Sequence, residues 1–249
     1  MRRWTILVRA MGISFLLMCL RFGIDYLKLD ILPETNLIGC FVGGTLFVLA
    51  LMLAGVMADF KESEKIADDL PTTILDLFHY SKYIELADSS AIDDMQSHIK
   101  ALLSELNNSL KRKQQWDTEG WHKFVYAIVS DIKVLSQQGV NPQFIASMQT
   151  DLSNVMKMIN RIDTIKGTLF LPAGYVASYI TVIISILMLL FIQIESSYYQ
   201  GFVMVGAISM VLVFIILLIH DMDDPFEASG STFADVDLSH LFDLEKHLS

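Results

Sequence analysis

Residues 37–58 read LIGCFVGGTLFVLALMLAGVMA, and residues 59–70, directly after them, read DFKESEKIADDL. The first stretch has 22 residues and no charge. A helix crosses the hydrocarbon core of a bilayer with about 20 apolar residues. The second stretch is dense in carboxylates and lysines, which lipid does not accept. The chain therefore crosses a membrane over Leu37–Ala58 and leaves it as a polar segment that can continue the same helix.

Three other stretches have the same character. Trp4–Leu27 is apolar but interrupted by Arg9, Arg21 and Asp25, whereas Thr168–Ile194 and Phe202–Ile219 carry no charge. The whole chain agrees with this reading: 249 residues, 53% hydrophobic and only 18% charged. A soluble domain has about 25% charged residues. The first stretch starts with Met-Arg-Arg, like a signal peptide, but Arg21 occupies the place of a small-residue cleavage site, so it is expected to be retained.

Orientation follows from Lys and Arg beside the span ends. Arg2 and Arg3 precede span one, Lys61 and Lys65 follow span two, and Arg161 and Lys166 precede span three. The link between spans three and four has no Lys or Arg. Both termini and the middle segment are expected in the cytoplasm. In a bacterium the membrane would be the inner one.

Residues 59–167 are polar and helix-periodic. One helix is expected over 59–87, with Pro71 marking a kink or restart. A second should begin at Ser90, whose S-x-x-D box includes Asp93, and end near Lys113. A third should cover 120–138, stopped by Gly139. A fourth should open at Asn141–Pro142, a cap followed by a first-turn proline. Its apolar positions Phe144, Met148, Leu152, Val155, Ile159 and Ile162 share one face. No strand pattern appears. The expected fold is an all-α membrane protein: four transmembrane helices with a cytoplasmic helical bundle inserted between spans two and three. The parts are residues 1–58, 59–167, 168–219 and a tail, 220–249.

No phosphate-binding glycine loop, nucleophile elbow or H-E-x-x-H motif occurs, and no two of the six histidines have ligand spacing on one helix. An enzyme is not the expected reading. The net charge of −10 disfavours nucleic acid.

Polar chemistry instead concentrates in three places. Arg9 and Arg21 lie twelve residues apart in span one, about 18 Å along a helix. Each either snorkels to its nearer interface, with Arg21 paired to Asp25, or faces a polar cavity or pore. Span two combines Gly39, Gly43, Gly44, Ala54, Gly55 and Ala58 with bulky Phe41, Leu49 and Leu53. This suits close helix packing, or a ring of bulky groups that gates by dewetting. The tail carries a net −7 and places Asp221, Asp223, Asp224, Glu227, Asp235 and Asp237 just after span four. These carboxylates suit calcium, which takes 6–8 oxygens. They equally suit a solvated strap packed down by Phe226, Phe233, Leu238, Leu241 and Leu244.

Four stretches, in this order, resemble the bestrophins, in particular the short bacterial members. They are Asn36-Leu-Ile-Gly, Phe60-Lys-Glu-Ser-Glu-Lys-Ile-Ala, Arg161-Ile-Asp with Leu171-Pro-Ala-Gly-Tyr175, and Asp223-Asp-Pro-Phe226 with Asp235-Val-Asp-Leu-Ser-His-Leu. The resemblance implies a pentameric channel for inorganic ions, with the pore on the symmetry axis and an apolar neck on span two. With the register anchored at Glu64, the neck falls on Thr45, Leu49 and Leu53. In animal members the acidic run after the P-F-G motif binds calcium; here Glu227 takes the place of that glycine. Two other readings share the topology: a stator-like proton channel subunit, and a non-transporting scaffold or sensor.

Overall fold

The computed structural model describes residues 4–82, 84, 89–111, 118–167, 172–193, 198–226 and 235–248. These form two compact units, one from residues 4–59 and 172–224, the other from 60–167, 225–226 and 235–248.

The first unit is built on four apolar helices: α1 (Thr5–Tyr26), the early part of α2 (Asn36–Lys82), α6 (Pro172–Phe191) and α7 (Tyr198–Met222). Pro172 opens α6, where its fixed φ suits a helix start and its missing N–H costs nothing. A two-residue parallel pair ties the chain just beyond α1 to the chain just beyond α6: β1 (Leu32–Pro33) to β2 (Ile192–Gln193). The sequence carried no signal for a ladder this short. It places the ends of α1 and α6 side by side, so the two helices run the same way. At the opposite end the Tyr175 hydroxyl, in the first turn of α6, donates to Asp223 just after α7, so α7 runs back antiparallel to both.

All four helices are long and apolar enough to span a membrane, yet only 22–39% of each apolar window is buried inside the chain's own fold. The rest includes Phe15, Leu16, Leu37 and Phe47, all more than 60% exposed. Apolar area left in water costs roughly 25 cal/mol per Å². This unit is therefore a membrane-embedded one, its outer surface meant for lipid or other protein.

The second unit packs the remainder of α2 with α3 (Ser89–Lys111), α4 (Thr118–Gln137), α5 (Pro142–Gly167) and α8 (Ser239–Leu248). Leu70, Ile74 and Leu77 of α2, Met95 and Ile99 of α3, and Trp121 of α4 are almost wholly buried. On α5 the buried stripe runs Ile145, Met148, Leu152, Val155, Ile159 and Ile162, so Ile145 rather than Phe144 opens it. Gly139 sits at φ +86°, a left-handed stop that L side chains avoid. Asn141 caps α5, its side-chain oxygen accepting from the Gln143 N–H at 2.9 Å.

One alternative falls away. Pro71 neither ends nor restarts its helix, because α2 runs unbroken from Asn36 to Lys82. Burial of Leu70, Ile74 and Leu77 on both sides outweighs the lost backbone bond. Within the tail, α8 forms from Ser239, capped by Asp237, which accepts the Ser239 N–H at 2.9 Å.

Candidate functional site

On α2 the covered and uncovered residues separate cleanly. Val42, Thr45, Leu49, Met52 and Val56 are buried in the first unit. Cys40, Gly43, Gly44, Phe47, Leu51, Ala54 and Ala58 are exposed, Phe47 by 64% and Leu51 by 59%. At about 100° of turn per residue, the exposed group, together with the exposed Gly39, Ala50 and Met57, falls within roughly 80° either side of Phe47. Leu49 lies about 160° round from it by the same measure.

This bears on Thr45, Leu49 and Leu53, which the resemblance places at a neck. A side chain on the axis of a symmetric ring has nothing of its own chain covering it. Leu49 has no exposed surface, and Thr45 is buried with its hydroxyl 2.9 Å from that of Ser185 on α6. Leu53 is only half-buried. Thr45 and Leu49 thus belong to the interior of the unit, where two hydroxyls satisfy each other in apolar surroundings.

The two arginines of α1 part company. Arg9 is exposed on the helix surface. Arg21 is 4% exposed and, as expected, is paired with Asp25. One guanidinium nitrogen donates to the Leu190 carbonyl at 2.6 Å, and the other lies 2.8 Å from Asp25. Leu190 is in the last turn of α6, whose carbonyls lack intrahelical partners. Arg21 therefore caps α6 and complements the negative end of its dipole.

Three of the four motif stretches are joined by hydrogen bonds, which their sequence positions did not reveal. Glu62 accepts from Arg161 at 2.7 Å, joining the stretch after span two to the one before span three. Tyr175 joins Asp223 as described above. Lys166 donates to the Phe226 carbonyl at 3.3 Å, and the Val236 N–H to the Pro225 carbonyl at 2.9 Å.

The carboxylates of the tail are mostly engaged locally. Asp223 accepts from Tyr175, and Asp237 caps α8, a bond that holds its carboxyl below the usual range. Asp221 and Asp235 are half-buried and Asp224 is exposed. Glu227 and Phe233 lie outside the described residues. Among the described residues, no three His, Cys, Asp or Glu side chains come together as a metal site. Phe226, Leu238, Leu241 and Leu244 are all buried in the second unit. Asn107 of α3 holds α8 by donating to the Leu241 carbonyl at 3.4 Å and to Glu245 at 2.8 Å. A further contact that sequence reasoning missed joins α3 to α4, with His98 2.7 Å from Asp131.

No protein-family model and no curated protein matches the sequence. Solved structures do. A crystal structure of a bacterial Bestrophin homolog from Klebsiella pneumoniae matches with a TM-score of 0.79 at 16% identity, over 97% of this chain and 97% of that one. A point mutant of that homologue matches over 100% of this chain and 98% of its own, with a TM-score of 0.75 at 15% identity. Another reaches a TM-score of 0.80 at 15% identity, over 98% and 97%. Over its whole length, this chain has the fold of the bacterial bestrophin homologues.

Proposed function

We propose that the protein is an ion channel, not an enzyme, and a homo-oligomer, pentameric like the bestrophins it resembles. The full-length fold match carries this reading. The uncovered face of α2 supports it, since a face of Gly43, Gly44, Phe47, Leu51 and Ala54 suits a pore wall with a bulky apolar constriction. Phe47 and Leu51, one turn apart, form the neck, with the glycines widening the path beside them.

The protein lies in the inner membrane of a bacterium, with both termini and the second unit in the cytoplasm. Lys61, Lys65, Arg161 and Lys166 near the span ends support that side. Asp221, Asp223 and Asp224, directly after span four, then lie on the cytoplasmic side of the membrane, where they attract cations.

Single-channel or liposome flux recordings test the proposal. The Phe47→Ala, Leu51→Ala double variant is expected to raise conductance, because a wider and less apolar neck wets more readily. Unchanged currents in that variant would remove the neck from these residues. No ion movement in either protein, at any voltage, pH or calcium level, would overturn the channel reading in favour of a scaffold or sensor.

A further inference from the structure

The interior of the membrane-embedded unit holds hydroxyls with no visible purpose. Ser14 of α1, Ser178 of α6 and Ser209 of α7 are at most 4% exposed, and their oxygens have no hydrogen-bond partner among the described residues. Within a bilayer such a group has no bulk water to turn to. The usual local remedy is a bond to the carbonyl one turn back. Thr181 takes it, donating to Ala177 at 2.9 Å, and Thr45 lies 3.1 Å from the Phe41 carbonyl. Ser14 and Ser209 do not.

Ser14 and Ser209 share a level on the α1/α7 seam. The two helices are antiparallel, and Met18 of α1 presses on Gly206 of α7. A methyl added at Gly206 would stand 2.6 Å from the Met18 sulfur. One turn further along the same seam, four residues back on α1 and three on along α7, come Ser14 and Ser209. Ser14 lies on the buried stripe of α1 that also carries Ile6, Ala10, Arg21 and Ile24.

We infer that the α1/α7 seam binds a water molecule that bridges Ser14 and Ser209. A buried water typically makes about three hydrogen bonds to groups left unsatisfied by the protein, and two orphaned hydroxyls facing one seam provide the polar partners. The site lies between α1 and α7 of one chain and does not depend on the channel reading.

Two measurements on the full-length protein in lipid nanodiscs test it. Ser14→Ala and Ser209→Ala should each lower the thermal midpoint by about 2–4 °C. The double variant should fall by less than the sum, because both act on one water. A dry seam predicts the reverse: loss of an orphaned hydroxyl leaves the midpoint unchanged or raises it. A high-resolution map should show a peak about 2.7–3.2 Å from both oxygens. Either result from a dry seam overturns the inference, as does a map in which the two hydroxyls touch directly with no peak between them.

Discussion

Replacing Arg21 with Met keeps much of the side-chain volume and removes the charge. In the structure this takes away a 2.6 Å bond to the last turn of α6 and the partner of Asp25, whose side chain is only 13% exposed. Breaking a buried ion pair from one side costs about 3–5 kcal/mol, because the remaining charge is stranded. For a chain of this size that corresponds to a midpoint lowered by about 6–20 °C. Replacing Asp25 with Leu in the same protein removes the stranded charge, and an apolar pair of similar volume is often neutral. The double variant should therefore recover most of the loss, leaving about 1–3 kcal/mol for the unpartnered Leu190 carbonyl. Reversible denaturation in detergent micelles measures all three variants as a cycle. A loss below about 1 kcal/mol for Arg21→Met would place the guanidinium in water or headgroups after all, since exposed pairs contribute that little. Failure of the double variant to recover would show that the charge itself, and not the pairing, holds the helices.

Other outcomes are tied to single contacts. Gly206→Leu should destabilise the first unit by about 1–3 kcal/mol, since even a Cβ there meets the Met18 sulfur at 2.6 Å; unfolding titrations read the change. Tyr175→Phe removes a bond to a carboxylate, expected to contribute about 1.5–3 kcal/mol, and should loosen the junction of α6 with the end of α7 as seen by hydrogen exchange. The docking of α8 should be acid-sensitive. Bonding to Asn107 holds Glu245 below the usual carboxylate range, and the Ser239 N–H does the same for Asp237. Their contribution is thus fully present above the unfolded values of about 3.9–4.3 and is lost as pH falls through the lower folded ones. Protease sensitivity of the C-terminal helix should rise below about pH 4, and Asn107→Ala should raise it already at neutral pH while shrinking the acid-dependent rise.

Much of the fold was legible in the sequence because lipid imposes a length and composition that few other contexts demand. The four spans stand out for that reason, and the helices of the second unit stand out by their punctuation, Gly139 and Asn141–Pro142 above all. The orientation of α2 was not legible. Phe47 and Leu49 are both large and apolar, yet one is uncovered and the other is sealed, so in a span apolar all round the hydrophobic period holds no information about facing. Arg9 and Arg21 pose the same difficulty, being identical residues whose surroundings come from α6 and its carbonyl ends. The short helix in the tail was less legible. Alternating carboxylates and large apolar groups suit a strap, but an aspartate cap and the buried pair Leu241 and Leu244 are enough for a short helix. Glu62 with Arg161, and Tyr175 with Asp223, stand 99 and 48 residues apart. Only the fold brings them together.

The most direct test of the account is a map of the protein in lipid nanodiscs, with subunits counted and the axis located. A five-fold ring is expected, in which Phe47 and Leu51 of every subunit face the axis and Thr45 and Leu49 point away from it. A monomer, or a ring with Leu49 on the axis and Phe47 against lipid, would contradict it.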